Sequence, residues 1–239
     1  MFTRLVKVGA RARDAAEKPF WISYADLMTA LMVLFLVAMS VALLAVTKKI
    51  TDQERRKNEH EQRIEQLLDR VESVTKNFPG VRLDRERRVI DFGAQVLFER
   101  NAYHLQGEQA RLLRAFVPEV LEIAETDLGK DVLKRVVIEG FADPSGTYLY
   151  NLNLSLHRSE GVLCALFAKP SANEAPLAAE QLGQIRDLFL VGGYSFNNAR
   201  KTAAESRRVE FRLELYAVDE DHLVPPSVPA ENFGDCQLS

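Results

Sequence analysis

Two carboxylates in this sequence stand where the chain needs a reason to keep them. Asp26 follows Phe20-Trp21-Ile22-Ser23-Tyr24-Ala25 and opens directly onto Leu27 to Val46, a run that contains no charged residue. With Phe20 to Asp26 added, the stretch exceeds the ~20 residues that a helix rising 1.5 Å per residue needs to cross hydrocarbon. An ionisable side chain in such a span costs at least ~2.5–3.5 kcal/mol on insertion scales. Asp26 therefore faces a protein partner or water, or else it is interfacial and snorkels to the surface. The second carboxylate is Asp143, in Ile138-Glu139-Gly140-Phe141-Ala142-Asp143-Pro144-Ser145-Gly146. Asp143-Pro144-Ser145-Gly146 is a good turn sequence, with proline suited to its second position. Beyond it, Asn151, Leu154, Ser155 and Arg158 are spaced i, i+3, i+4 and i+7, so they share one helix face that can point at this turn. Asp143 and Arg158 together would receive a zwitterion, the first taking an ammonium and the second a carboxylate in bidentate fashion. A structural salt bridge between them fits the same spacing.

The elements that must position these groups follow from the pattern around them. Trp21 and Tyr24 flank the start of the apolar span, where amphipathic aromatics settle at a membrane interface. Asp26 lies about 7.5 Å deeper along a helix than Trp21, so it sits near one surface of the membrane. Thr29, Met32 or Val33, Leu36 and Ser40 follow at helical spacing and give its face small or polar neighbours. Residues 1–19 carry Arg4, Lys7, Arg11, Arg13 and Lys18 and are expected to form a cytoplasmic arm ahead of a transmembrane helix over 20–46. The apolar run is too long for a signal-peptide core and reads as an uncleaved anchor. Lys48, Lys49, Arg55, Arg56 and Lys57 match the basic residues on the other side, so charge alone does not orient the span.

From Lys48 to Asn77 the composition turns polar and helix-favouring, without proline or glycine. A helical connector is expected over 47–80, about 45 Å long if its ~30 residues are all helical, and ended by Pro79-Gly80. Ile64, Leu67, Val71, Val74 and Phe78 recur at intervals of a coiled-coil seam, which predicts a parallel homodimer. The alternative is that this stripe packs on the next domain of its own chain. That domain is expected over 81–216, with strands near Val81–Leu83, Arg87–Phe92, Lys134–Glu139, Leu188–Gly192 and Arg207–Tyr216, and helices over Gln106–Glu125 and Tyr148–Phe167. The class is α+β, an α/β sandwich behind a single N-terminal transmembrane helix and its connector. Residues 169–184 read as an exposed insertion and 217–239 as an irregular tail. Cys164 and Cys236 either form a disulfide or stand apart, which their spacing leaves open.

A net charge of −3 and the absence of a basic patch interleaved with aromatics argue against nucleic acid as a partner. No metal-ligand cluster, Ser/His/Asp arrangement or second carboxylate placed near Asp143 points to an enzyme, and no cofactor or metal is expected.

Trp21-Ile22-Ser23-Tyr24-Ala25-Asp26-Leu27-Met28-Thr29 resembles the W-x-x-x-Y-A-D-h-M-T signature of MotB, the peptidoglycan-anchored half of flagellar stators. The resemblance implies that Asp26 carries the translocated ion, a proton or alternatively sodium, through a carboxyl whose pKa burial raises toward working pH. Val136 to Val162, with Ser206-Arg207-Arg208-Val209-Glu210-Phe211, resembles the OmpA-like peptidoglycan-binding domain. It implies that Asp143 and Arg158 grip the diaminopimelate residue of the wall peptide, supported by Tyr150, Asn151 and Leu154. Phe141 stands where that family has His, Ser206 where it has Asn, and Gly192 to Phe196 depart from its G-x-G-E loop. Wall binding would make the C-terminal domain periplasmic and the arm cytoplasmic.

The short arm, a connector without an obvious separate plug and the 169–184 insertion make the chain more similar to the ZorB family of Zorya anti-phage systems than to flagellar MotB. That family implies a ring of a MotA- or ZorA-like membrane subunit around two copies of this chain, in the bacterial inner membrane. A passive wall tether leaves Asp26 unexplained. A TolR- or ExbD-like energiser leaves the Asp143 to Arg158 pattern unexplained.

Overall fold

The computed structural model describes residues 18–169, 176–222, 233, 234 and 236, so the basic arm through residue 17, residues 170–175 of the expected insertion and Pro225, Pro226 and Pro229 of the tail lie outside it. The chain divides into two compact units, Met1–Arg56 and Lys57–Ser239, and the long helix α1 (Lys18–Thr75) contributes to both.

In the first unit α1 is long and apolar enough to cross a membrane, with a mean hydropathy of 2.7 over its most apolar 18 residues. The side chains from Leu27 to Val46 are exposed. The hydroxyls in the run need no outside partner. Thr29 Oγ1 donates to the Asp26 carbonyl at 2.9 Å, Ser40 Oγ to that of Leu36 at 2.7 Å and Thr47 Oγ1 to that of Leu43 at 2.8 Å. Such back-bonding lets an apolar helix carry hydroxyls without exposing an unpaired donor to lipid.

The remainder of α1 belongs to the second unit, and its last turn tightens: Asn77 N donates to the Val74 carbonyl and Phe78 N to that of Thr75, both at 3.0 Å. Here the expected coiled-coil seam is corrected. Leu67, Leu68 and Val71 are at most 2 % exposed and Ile64 9 %, all within one core with Phe92, Phe116 and Phe211 of the same chain, while Val74 and Phe78 pack against its edge. The stripe faces its own domain, so it is not free to pair with a second copy. Polar contacts flank it. Arg85, in the turn after β1 (Arg82–Asp84), binds Glu72 at 2.5 and 2.9 Å, Glu65 at 2.9 Å and also Asp69. Elsewhere along the helix His60 Nε2 bonds the Tyr216 carbonyl at 2.9 Å and Arg63 pairs with Asp131 at 2.9 Å.

The described strands form one mixed sheet in the order β1-β2-β5-β3-β4, with β2 (Val89–Asp91), β3 (Leu133–Gly140), β4 (Phe189–Gly193) and β5 (Val209–Leu215). Only the β3–β4 pair is parallel, as a crossover requires. Val209, Phe211 and Leu213 alternate into the core beside Val136 and Ile138 of β3. The opposite face holds charge. Glu139 binds Arg212 through two bonds at 2.5 and 3.0 Å, and Glu210, fully buried, accepts from Arg87 at 2.7 Å, Arg200 at 2.6 Å and Arg208 at 2.7 Å. Buried carboxylates are tolerated because each is held by guanidinium donors.

The helices are α2 (Gly107–Glu125), α3 (Asp127–Val132), α4 (Tyr148–Phe167), α5 (Ala179–Leu188) and the short α6 (Ala203–Ser206). The mixed α+β class expected from the pattern is what forms. The insertion is corrected at its end: from Ala179 it is helical, with Leu177 and Leu182 packed on the core and Ile185 buried just beyond its bounds. The cysteines resolve as a disulfide, Cys164 to Cys236 with their Cα atoms 5.5 Å apart, beside a Phe167–Phe233 ring contact. A bridge spanning 72 residues stabilises by about 4 kcal/mol on a chain-entropy estimate.

Replacing Leu67 by Ala should lower the stability of the second unit by about 2–5 kcal/mol, the range for deleting a buried leucine. Its thermal melt should not depend on protein concentration. A midpoint that rises with concentration would restore the dimer seam.

Candidate functional site

The site is built where α4 meets the ends of β3 and β4, and two glycines set how close that meeting is. A Cβ at Gly140 would lie 1.8 Å from the Ser155 carbonyl oxygen, and one at Gly193 would lie 2.8 Å from both the Leu152 oxygen and the Leu156 nitrogen. These two glycines are register partners across the parallel pair, so α4 rests backbone to backbone on the strand ends. The loop after β4 is stitched to the same place. Tyr194 N donates to the Gly140 carbonyl at 3.0 Å, Ala142 N to that of Ser195 at 2.8 Å, and Ser195 N to Ser155 Oγ at 2.9 Å. The residues that depart from the OmpA-like loop pattern thus form part of the site's floor.

From Gly140 the chain turns through Asp143 to the cap of α4. Asp143 Oδ1 accepts from the backbone N of Ser145 at 2.9 Å and from its hydroxyl, closing an Asx turn. Gly146 has a φ of +102°, and Asn151 Nδ2 donates to the Ser145 carbonyl at 3.0 Å. Thr147 caps the helix by accepting from Tyr150 N at 3.4 Å. Asn151 and Leu154 are buried and shape the turn from beneath. The first turn of α4 faces outward, with Tyr148 45 %, Leu149 74 % and Tyr150 49 % exposed.

The two charges expected to converge do not pair. Arg158 is fully buried, and its Nε, Nη1 and Nη2 donate to the carbonyls of Ala102 at 2.8 Å, Phe141 at 2.7 Å and Glu99 at 3.2 Å. It fastens the 99–102 loop and the end of β3 to α4, with Phe98 stacked at 5.1 Å from its Cζ. Burial pushes its guanidinium down to about 10, Arg207 adding to the effect and Asp143 opposing it, so it stays charged at neutral pH. Asp143 is paired instead with Arg207, whose Nη1 donates to Oδ2 at 3.3 Å. Burial pushes the Asp143 carboxyl up, but the two bonds from Ser145 and the Arg207 charge outweigh it and hold the group below its ordinary value.

Arg207, the partner of Asp143, was not among the residues expected at the site. The signal was present in Ser206-Arg207-Arg208-Val209, since β5 begins opposite Gly140 and so carries residues 206–208 alongside 141–143. Arg208 is the structural member of that pair: it binds Glu210 and stacks on Phe141 at 4.2 Å, which accounts for an aromatic ring where a His was expected. Among the described residues no cluster of His, Cys, Asp and Glu is placed to hold a metal ion.

Asp26 belongs to the other unit. Its carboxyl is exposed on α1, one turn from Thr29 and Ala30, and among the described residues no side chain pairs with it. The charged form of a carboxyl in an apolar span needs water or polar groups around it.

Comparison with known proteins gives three kinds of match. Residues 7–51 match the family described as membrane MotB of the proton-channel complex MotA/MotB. The whole chain is 43 % identical, over 242 aligned positions and 98 % of the relative's length, to the Zorya protein ZorB of Escherichia coli O139:H28. Similar solved structures include the cell wall anchor of the type VI secretion system (T6SS) from Pseudomonas aeruginosa, at 21 % identity over 62 % of this chain and 97 % of that one, TM-score 0.39. The periplasmic domain of MotB matches at 14 % identity over 55 % of this chain and 65 % of that one, TM-score 0.37.

Asp143 and Glu210 are both held below their ordinary values, the latter because the bonds and charges of Arg87 and Arg208 outweigh burial. Their contribution to stability is therefore complete above the unfolded carboxylate values of about 4 and is lost as pH falls through the lower folded ones. Thermal melts taken from neutral pH into acid should show the midpoint falling below about pH 4. Asp143→Asn should flatten that fall, and an equally steep fall would mean that Asp143 is not held down as described.

Proposed function

The chain belongs to the Zorya ZorB family, and on that premise we propose that it is the peptidoglycan-anchored B subunit of a MotA/MotB-like, ion-driven motor of the inner membrane. Its output is anti-phage defence. The observation that carries the reading is Asp26, an ionisable group on a helix of membrane-crossing length, inside the stretch that matches the MotB family. A ring of A subunits supplies the polar surroundings that the ionised carboxylate needs, and the proton is the ion moved. Asp26 is protonated from one side, neutral while its surroundings change, and deprotonated to the other. Two copies of the chain sit within that ring and meet through their membrane helices, since the Leu67–Val71 stripe is engaged by its own domain.

The C-terminal domain is the anchor and lies in the periplasm, with the basic arm in the cytoplasm. The Cys164–Cys236 bridge supports this orientation, because such bonds persist in oxidising compartments. Asp143 and Arg158 take the diaminopimelate residue of the wall peptide, supported by the exposed Tyr150 and by Asn151 and Leu154, with Asn151 bonded to the turn at Ser145 and Arg158 bonded to the Phe141 carbonyl.

In cells carrying the partner subunits, Asp26→Asn should abolish protection against phage while the chain still inserts and assembles, and Asp26→Glu should keep part of it. Protection that survives Asp26→Asn would leave the chain a passive tether. In intact cells, Cys164 and Cys236 should resist thiol alkylation until a reductant is added. Reactivity without reduction would remove the support that the bridge lends to the periplasmic placement.

A further inference from the structure

The loop after β4 does more than close the floor of the turn. Ser195 is fully buried and takes a left-handed φ of +53°, an unfavourable conformation for a residue with a side chain. Three hydrogen bonds hold it there. Its N donates to Ser155 Oγ at 2.9 Å, its carbonyl accepts from Ala142 N at 2.8 Å, and its Oγ donates to the Tyr148 carbonyl at 3.2 Å. The product of that constraint is at the surface. Phe196, the next residue, is set against Tyr148 with ring centroids 5.7 Å apart and ring planes at 78°. An edge-to-face pair leaves much of both rings uncovered, and Tyr148 is half-exposed. Asn197 and Asn198 follow in the same turn, both exposed, and among the described residues no bond engages either side-chain amide. The Asn198 carbonyl accepts from Arg208 at 3.2 Å, which fixes the backbone of the turn. The aromatic pair thus stands at the first residue of α4, immediately beyond the turn that carries Asp143.

We propose that Tyr148 and Phe196, edged by Asn197 and Asn198, form a sugar subsite that takes the glycan strand from which the wall peptide hangs. A pyranose ring has an apolar C–H face bordered by hydroxyls, and an aromatic pair bordered by free amides is its complement. The rings take the face, and the amides, each with donors and an acceptor, take the hydroxyls. A purely apolar partner would cover those amides without bonding them, and a charged one would find no opposite charge among the four residues. Because the turn at Ser195 and the cap of α4 already hold the rings together, little ordering is left to the binding step. The position suits the wall site as well. Peptide and glycan are covalently joined in the wall, and only the turn braced by Asn151 and Thr147 separates Asp143 from Tyr148. The inference rests on the wall-binding reading above and extends it from the peptide to the glycan.

The test uses the full chain in detergent, titrated with the wall tripeptide ending in meso-diaminopimelate and with the same tripeptide carrying the wall disaccharide. Wild type should bind the disaccharide form about tenfold more tightly, the scale of one aromatic contact with its flanking hydrogen bonds. Tyr148→Ala should abolish that difference and leave the affinity for the bare tripeptide unchanged. Tyr148→Phe keeps the ring and should retain most of the difference, and melting temperatures of both variants control for folding. A Tyr148→Ala chain that keeps the difference, or that weakens both probes by equal factors, overturns the assignment. If that chain also falls to a smaller oligomer by light scattering while the difference persists, the rings belong to a contact between copies instead. Wild type that binds both probes alike removes this inference alone, whereas wild type that binds neither removes the wall-binding reading with it.

Discussion

A side chain as small as a methyl group cannot be accommodated between β3 and α4 at Gly140, and the geometry of the domain's site follows from that contact. With the Ser155 carbonyl only 1.8 Å from where a Cβ would stand, strand and helix are fixed at the separation their backbones allow. The chain between Gly140 and Tyr148 then has one short path, and Asp143 is at its bend. One helix turn beyond Leu154, Arg158 arrives under the Phe141 carbonyl. The register of β5 brings Arg207 to the remaining side.

Charge is managed differently in the two units. In the domain, buried acids are matched by arginines: Glu139 by Arg212, Glu210 by three guanidinium groups, and Asp143 by Arg207. These sites are complete within one chain. Asp26 has no such match among the described residues, although it sits in the most apolar segment of the protein. An unmatched carboxyl is unfavourable for a helix alone and useful for one whose surroundings are supplied, and changed, by a moving partner. That contrast is the physical basis for the proposal that one unit anchors and the other carries the ion.

Much of this was legible in the sequence because it rests on periodicity and local spacing. The bounds of α4 come from an apolar and polar alternation bracketed by a turn and Lys169-Pro170, and the α+β order from strands and helices that alternate. What was not legible depended on contacts between distant segments. Leu67 and Val71 have the spacing of a coiled coil, and only the presence of Phe92 and Phe116 opposite them decides that they close a core within one chain. Arg158 and Arg207 are both arginines in motif-like settings, and only their contacts separate Arg158, bonded to three backbone carbonyls, from Arg207, which pairs with Asp143. Residues 169–184 read as an exposed insertion because the helix that begins inside it at Ala179 has its one fully buried residue, Ile185, just beyond those bounds and too few apolar positions to show a period. The cysteine pair could not be assigned from a separation of 72 residues.

The proposed anchored motor requires its two acids to do separable work, and both jobs can be read in the same cells. The measurement is of lateral diffusion of the labelled chain and of proton uptake, in phage-challenged cells that also make the ring subunit. The account predicts that Asp143→Asn frees the chain to diffuse while its carboxyl at Asp26 still supports uptake. It predicts the reverse for Asp26→Asn, with an immobile chain and no uptake. Uptake that persists without the Asp26 carboxyl, or a chain that stays fixed without the Asp143 charge, would contradict it.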